Sequence, residues 1–146
     1  MSGILVGIDG SGHSQRALEW AAREAALRQV PLTVLTVHQA VVGWAGGSVD
    51  FPGDETATAR ARELAQSETD KVLEEIGGGR PAEVIVRAVN GIPAEELLRA
   101  AEDAAMLVLG SRGAGGFGKL LIGSVSSQVS HHARCPVVLI PVSDRP

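Results

Sequence analysis

The residues best suited to hold a charged ligand lie together in the last third of this 146-residue chain. Gly110-Ser111-Arg112-Gly113-Ala114-Gly115-Gly116-Phe117-Gly118-Lys119 runs on into Leu120-Leu121-Ile122-Gly123-Ser124. Glycines carry no Cβ, so their backbone N–H groups can come close to an anion. Gly123-Ser124 stands where a helix would open, with unpaired N–H donors and the positive end of the helix dipole. Together these features make a nest for phosphate oxygens. Glycines in this number also suit a loop of tight turns, and on their count alone the two readings balance.

Two common phosphate-binding patterns do not fit. Lys119 is followed by Leu120, where a Walker A loop needs Ser or Thr. Asp9-Gly10-Ser11-Gly12 lacks the third glycine of the dinucleotide fingerprint. Asp9 can cap the turn and the helix behind it. His131 and His132 are adjacent, so on a helix they point about 100° apart and make a poor metal pair. Interaction with a helix C-terminus suits them better. His13 and His38 lie near strand ends, Lys119 is equally a phosphate partner or a solvated cation, and Trp44 and Phe51 could close over a site or pack between subunits. Cys135 reads as a buried thiol acting as a small hydrophobe. No nucleophile–histidine–acid set or carboxylate pair follows from spacing, so no catalytic residue is assigned.

The elements that must position these residues alternate from end to end. Ile4–Ile8 is a continuous apolar run, as expected of a strand buried on both faces. Residues 14–29 switch to helical spacing, with Ala17, Leu18, Ala21, Ala22 and Ala25 on one face and Ser11 or Ser14 as the cap. Leu32–His38 is a second strand. Residues 39–54, rich in glycine, read as a mobile loop. A helix over 55–76 follows, with Leu64, Val72, Leu73 and Ile76 as core candidates. Val84–Val89 is a third strand, Pro93 opens a helix to about Asp103, Met106–Leu109 is a fourth strand, Ser124–Ala133 a helix, and Val137–Ile140 a fifth strand. Such alternation means one doubly wound α/β domain over residues 1–146, and such sheets bind ligands beyond the carboxyl ends of their strands, where the strand order reverses.

Composition narrows the partners. A net charge of −4 and 3% aromatic residues argue against a nucleic-acid or anionic-membrane surface. A single cysteine excludes an intramolecular disulfide and multi-cysteine zinc sites. No apolar run reaches the length of a membrane span, and Met1-Ser2-Gly3 does not open a signal peptide. The expected address is the cytoplasm.

The spacing Gly110-x₂-Gly113-x₉-Gly123-Ser124 resembles the ATP-binding signature of the universal stress protein family. Ile4-Leu5-Val6-Gly7-Ile8-Asp9-Gly10-Ser11 and Ala17-Leu18-Glu19-Trp20-Ala21 resemble its first strand, turn and helix. Gly91-Ile92-Pro93-Ala94-Glu95-Glu96-Leu97-Leu98 and Cys135-Pro136-Val137-Val138-Leu139-Ile140-Pro141 resemble its later landmarks. The resemblance implies a Rossmann-like parallel sheet of order 3-2-1-4-5 with helices on both faces, binding ATP or ADP with Mg²⁺. It places Gly7 at a backbone contact, Asp9 at the ribose or phosphates, and the backbone of Val37 at adenine. Gly110, Ser111, Arg112 and Gly113 would line ribose and phosphates, and Gly123, Ser124, Val125 and Ser126 would supply backbone and hydroxyl donors at the helix start. Gly7 stands where several ATP-binding members carry proline, and Ala105 where an aspartate is common.

The resemblance implies a regulatory protein acting through nucleotide occupancy, with at most slow hydrolysis. An adenylating enzyme on a similar sheet would need a serine- and glycine-rich loop after the first strand, which Asp9–Ser14 only faintly echoes. A nucleotide-free interaction protein would not need the intact glycine motif. In a 3-2-1-4-5 sheet the apolar fifth strand is an unprotected edge, which predicts a homodimer through that strand.

Overall fold

The computed structural model describes residues 2–38, 54–111 and 124–141. Its elements alternate along the chain: β1 (Ile4–Ile8), α1 (Gly12–Arg28), β2 (Leu32–His38), α2 (Asp54–Ile76), β3 (Val84–Asn90), α3 (Pro93–Ala101), β4 (Met106–Gly110), α4 (Ser124–His132) and β5 (Val137–Ile140). The strands form one five-stranded sheet of order β3-β2-β1-β4-β5, parallel throughout. The expected loop at 39–54 falls outside the described residues except for Asp54, which opens α2.

Central β1 is buried at every position, which is why its sequence is apolar without alternation. Its side chains divide between two cores. Ile4, Val6 and Ile8 pack with Ala17, Leu18, Ala21, Ala22 and Ala25 of α1 on one face of the sheet. Leu5 packs on the other with Leu97 and Ala101 of α3 and Val129 of α4. Alanines on the buried stripe of α1 let that helix lie close to the sheet. A fully buried leucine such as Leu18 or Leu107 stabilises this arrangement by roughly 1.5–3 kcal/mol. Cys135, expected to be buried, is half-buried at the periphery of the second core, where partial burial raises its thiol pKa.

The helix bounds have local causes. Ser11 is the N-cap of α1, with extended backbone and a side chain that accepts from the Ser14 N–H. The helix therefore starts at Gly12, two residues earlier than its apolar spacing predicts. It ends at Gln29, whose φ of 54° is left-handed, a conformation costing about 1–2 kcal/mol for a residue other than glycine. Gln29 offsets that cost by donating from Nε2 to the Ala26 and Arg80 carbonyls.

One core expectation is corrected. Leu64 is 65% exposed, and the buried stripe of α2 runs through Ala65, Thr69, Val72 and Leu73. Leu64 precedes Ala65, so it stands about 100° off that stripe. Thr69 tolerates full burial because its hydroxyl donates to the Ala65 carbonyl at 2.7 Å.

Candidate functional site

The site begins where a ladder stops. β1 pairs with β2 as far as Ile8↔Thr36, and β4 pairs with β5 as far as Gly110↔Ile140. Between β1 and β4, however, the last pair is Val6↔Val108. The two central strands therefore part over Gly7–Ile8 and Leu109–Gly110. This opens a crevice at the reversal of strand order, where α/β sheets take their ligands. Asp9 and Ser111, each one residue past its strand, flank it.

The β1 rim is a linked set of hydrogen bonds. Asp9 Oδ1 accepts from the Ser11 N–H at 3.0 Å and from its hydroxyl at 2.6 Å. Ser11 Oγ accepts from the Ser14 N–H at 3.2 Å. The buried Ser14 hydroxyl donates to the Ser11 carbonyl at 3.0 Å and accepts from the Asp9 N–H at 3.2 Å. Gly10 holds φ at +84° within this turn, a conformation that L side chains rarely adopt. Asp9 thus organises the turn, whatever else it contacts.

A second carboxylate stands near this rim that spacing alone did not single out. Burial and the negative charge of Asp9 push the Glu68 carboxyl of α2 above its ordinary range, while Lys71 pulls it partly back. Only the folded arrangement of α2 against the rest of the molecule brings this pair into electrostatic contact.

The β4 rim carries the predicted residues Gly110 and Ser111, with the start of α4 beside it. Gly110 and Ser111 are half-buried, and the Ser111 N–H donates to the Ile140 carbonyl at 2.9 Å. At the start of α4, Ser124 is exposed, Val125 half-buried and Ser126 buried. The Ser126 hydroxyl donates to the Gly110 carbonyl at 2.8 Å, joining the two ends of the rim. Arg112, Gly113, Lys119 and Gly123 lie outside the described residues, as do Trp44 and Phe51.

Gly7 has a packing role that its sequence context did not reveal. A Cβ there would lie 2.8 Å from Cδ2 of Leu109 and 2.8 Å from Cδ2 of Leu97. Both leucines are buried, so the missing side chain lets α3 close over β1. Val37, opposite Val89 on β3, is half-buried at the edge of the second core, two strands from the β4 rim.

Of the histidines, His131 places Nδ1 2.7 Å from the Ser127 carbonyl, which matches the expected helix C-terminal interaction. His38 accepts through its backbone carbonyl from the Gly91 N–H at 2.9 Å. His132 lines a shallow cleft of about 350 Å³ with Glu95, Leu98, Arg99, Glu102 and Arg134, at the opposite end of α4 from Ser124. Among the described residues no cluster of three or more His, Cys, Asp or Glu side chains could hold a metal ion. None of the described helices is long and apolar enough to cross a membrane.

The model of the universal stress protein family matches residues 1–141. Universal stress protein Rv1996 of Mycobacterium tuberculosis is 36% identical over 156 residues, covering 99% of this chain and 49% of that protein. The chain therefore spans about half the length of this curated relative. Among solved structures, the universal stress protein UspA from Lactobacillus plantarum matches with a TM-score of 0.71 at 22% identity, covering 95% of this chain and 97% of the other. The universal stress protein from Archaeoglobus fulgidus in complex with dAMP matches with a TM-score of 0.61 at 28% identity, covering 96% of this chain and 98% of the other.

Proposed function

This chain belongs to the universal stress protein family, and on that premise we propose that it is an adenine-nucleotide-binding regulatory protein. The observation that carries the reading is the parting of β1 and β4 beyond Val6↔Val108, flanked by the Asp9 turn and the start of α4. The solved relative in complex with dAMP supports the class of ligand. ATP or ADP is the nucleotide we assign.

In this reading the backbone of Gly7 and Val37 faces the adenosine end, and Asp9 makes a polar contact to ribose or phosphate. Gly110, Ser111, Arg112 and Gly113 line the ribose and phosphates. The N–H groups of Gly123, Ser124, Val125 and Ser126 meet the phosphates, which favour a helix N-terminus. Mg²⁺ would be held mainly by the nucleotide phosphates, as is usual for that ion, with Asp9 as a carboxylate that could contact it. We assign no general base, and hydrolysis is at most slow. The reading also includes a cytoplasmic location and a homodimer through β5, which among the described residues pairs with β4 alone.

Mass spectrometry of small molecules released by denaturing the purified protein tests the ligand directly. Calorimetry with ATP, ADP and GTP should show binding of the adenine nucleotides, lost in Gly113→Val and Gly123→Val while the fold survives. No binding by the wild-type chain, or unchanged affinity in both variants, overturns the assignment. Pyrophosphate release in the presence of ATP would instead favour an adenylating enzyme.

A further inference from the structure

We propose that Ser126 is a positioning residue, a clasp that holds the start of α4 against the end of β4, rather than a hydroxyl donor to the ligand. The need for a clasp comes from the sheet. The Ser111 N–H points to β5, donating to Ile140, and backbone groups of successive strand residues turn to opposite sides. The Gly110 carbonyl therefore faces β1, where no ladder partner remains after Val6↔Val108. Gly110 is half-buried, and a carbonyl turned away from water without a partner is costly. The hydroxyl of Ser126, a residue only 5% exposed, meets it at 2.8 Å.

Two consequences follow. A serine hydroxyl has one proton to give, and in Ser126 that proton is committed to Gly110. Ser126 can therefore offer a phosphate its backbone N–H but not its O–H. The same bond joins residues 16 apart in sequence, fixing Gly110 and the first turn of α4 in one arrangement. The end of β4 and the first turn of α4 are thus set relative to each other before any ligand arrives. The inference rests on the nucleotide reading for its effect on affinity, but the clasp itself is a property of the free protein.

The test therefore has two arms. In the first, ATP affinity is measured for the wild-type protein and for Ser126→Ala, Ser126→Thr and Ser126→Val. Thr and Val have nearly the same shape and differ in the hydroxyl. Ser126→Thr should stay close to wild type, while Ala and Val should bind about tenfold more weakly, the scale of one lost hydrogen bond. Wild-type affinity in Ser126→Ala, or a Val variant no weaker than the Thr variant, overturns the proposal. In the second arm, amide exchange is followed without nucleotide in wild type and Ser126→Ala. Exchange at Gln128 and Val129, which bond back into the first turn of α4, should accelerate while central β1 stays protected. Unchanged exchange at those amides overturns the clasp. A wild-type protein that binds no adenine nucleotide but shows accelerated exchange in Ser126→Ala refutes the function and leaves the clasp standing.

Discussion

Asp9 has two roles that a pair of substitutions can separate. Asp9→Ala removes the acceptor of two hydrogen bonds, at 3.0 Å from the Ser11 N–H and 2.6 Å from its hydroxyl. Ser11 would keep its bond to the Ser14 N–H, so α1 stays capped but the turn loosens. Asp9 is exposed and Ser11 half-buried, so water can partly replace the lost acceptor. The expected loss of stability is about 1–2 kcal/mol, in the range of a lost cap rather than a buried orphan. Asp9→Asn keeps a carbonyl oxygen for both donors and should unfold in urea within about 0.5 kcal/mol of wild type. If the carboxylate also meets the nucleotide or its cation, both variants should bind ATP about tenfold more weakly, or 1.4 kcal/mol. Calorimetry beside urea unfolding gives the two numbers on the same samples. Wild-type stability in Asp9→Ala would refute the turn argument, and wild-type affinity in that variant would refute the ligand role.

Glu68 supplies a prediction with a definite sign. Burial and the charge of Asp9 raise its pKa above the ordinary value of 4.5, so the folded chain holds that proton more tightly than the unfolded chain does. The resulting stabilisation is fully present below the unfolded pKa and is lost as pH rises through the folded one. Glu68→Gln should therefore raise the melting temperature at pH 7, with the gain disappearing below about pH 4; a gain independent of pH would contradict this. Gly7→Ala should cost about 1–3 kcal/mol in urea unfolding, since its Cβ would sit 2.8 Å from atoms of two buried leucines. Unchanged stability would mean that Leu97 and Leu109 turn aside freely. Light scattering should report a dimer for the native chain and a monomer for Val138→Lys combined with Ile140→Lys, because both changes put charge on the edge strand; a native monomer would count against the β5 contact.

What was legible in the sequence was mainly local. β1, β2 and β5 begin and end where their apolar runs predict, because Asp9-Gly10, Pro31, Pro136 and Pro141 bound them with residues that do not continue a buried strand. The strand order and the helices on both faces also agree with expectation. Errors arose where hydrophobicity was taken for burial. Leu64 lies on the solvent side of α2 although it is the more apolar residue, and Thr69 is buried because its own helix satisfies its hydroxyl. The site was legible as a place and as a list, but not as a division of labour. Ser126 finds its acceptor on another element, Glu68 feels Asp9 across the fold, and Gly7 is required by Leu97 of α3. None of these relations has a spacing that periodicity could detect.

That division of labour bears on how the crevice would recognise a phosphate. The Ser11 hydroxyl proton goes to Asp9, that of Ser14 to the Ser11 carbonyl, and that of Ser126 to the Gly110 carbonyl. The protons of all three hydroxyls, two of them on residues expected to cap α1 and one on a residue expected to donate to the ligand, are thus spent on the rims themselves. At these three positions only the backbone N–H remains to donate to a ligand, and the first turn of any helix leaves such groups without intrahelical acceptors. Backbone donors work only at close approach, and a Cβ in the way is a steric obstacle that no repacking of side chains removes. Affinity should accordingly be more sensitive to β-branched replacements of the motif glycines than to removal of the Ser11 or Ser14 hydroxyl, whose loss acts on the α1 turn. Rims already tied by internal hydrogen bonds also have less conformational entropy left to lose when a ligand arrives. On this view the serines build the site and the glycines open it.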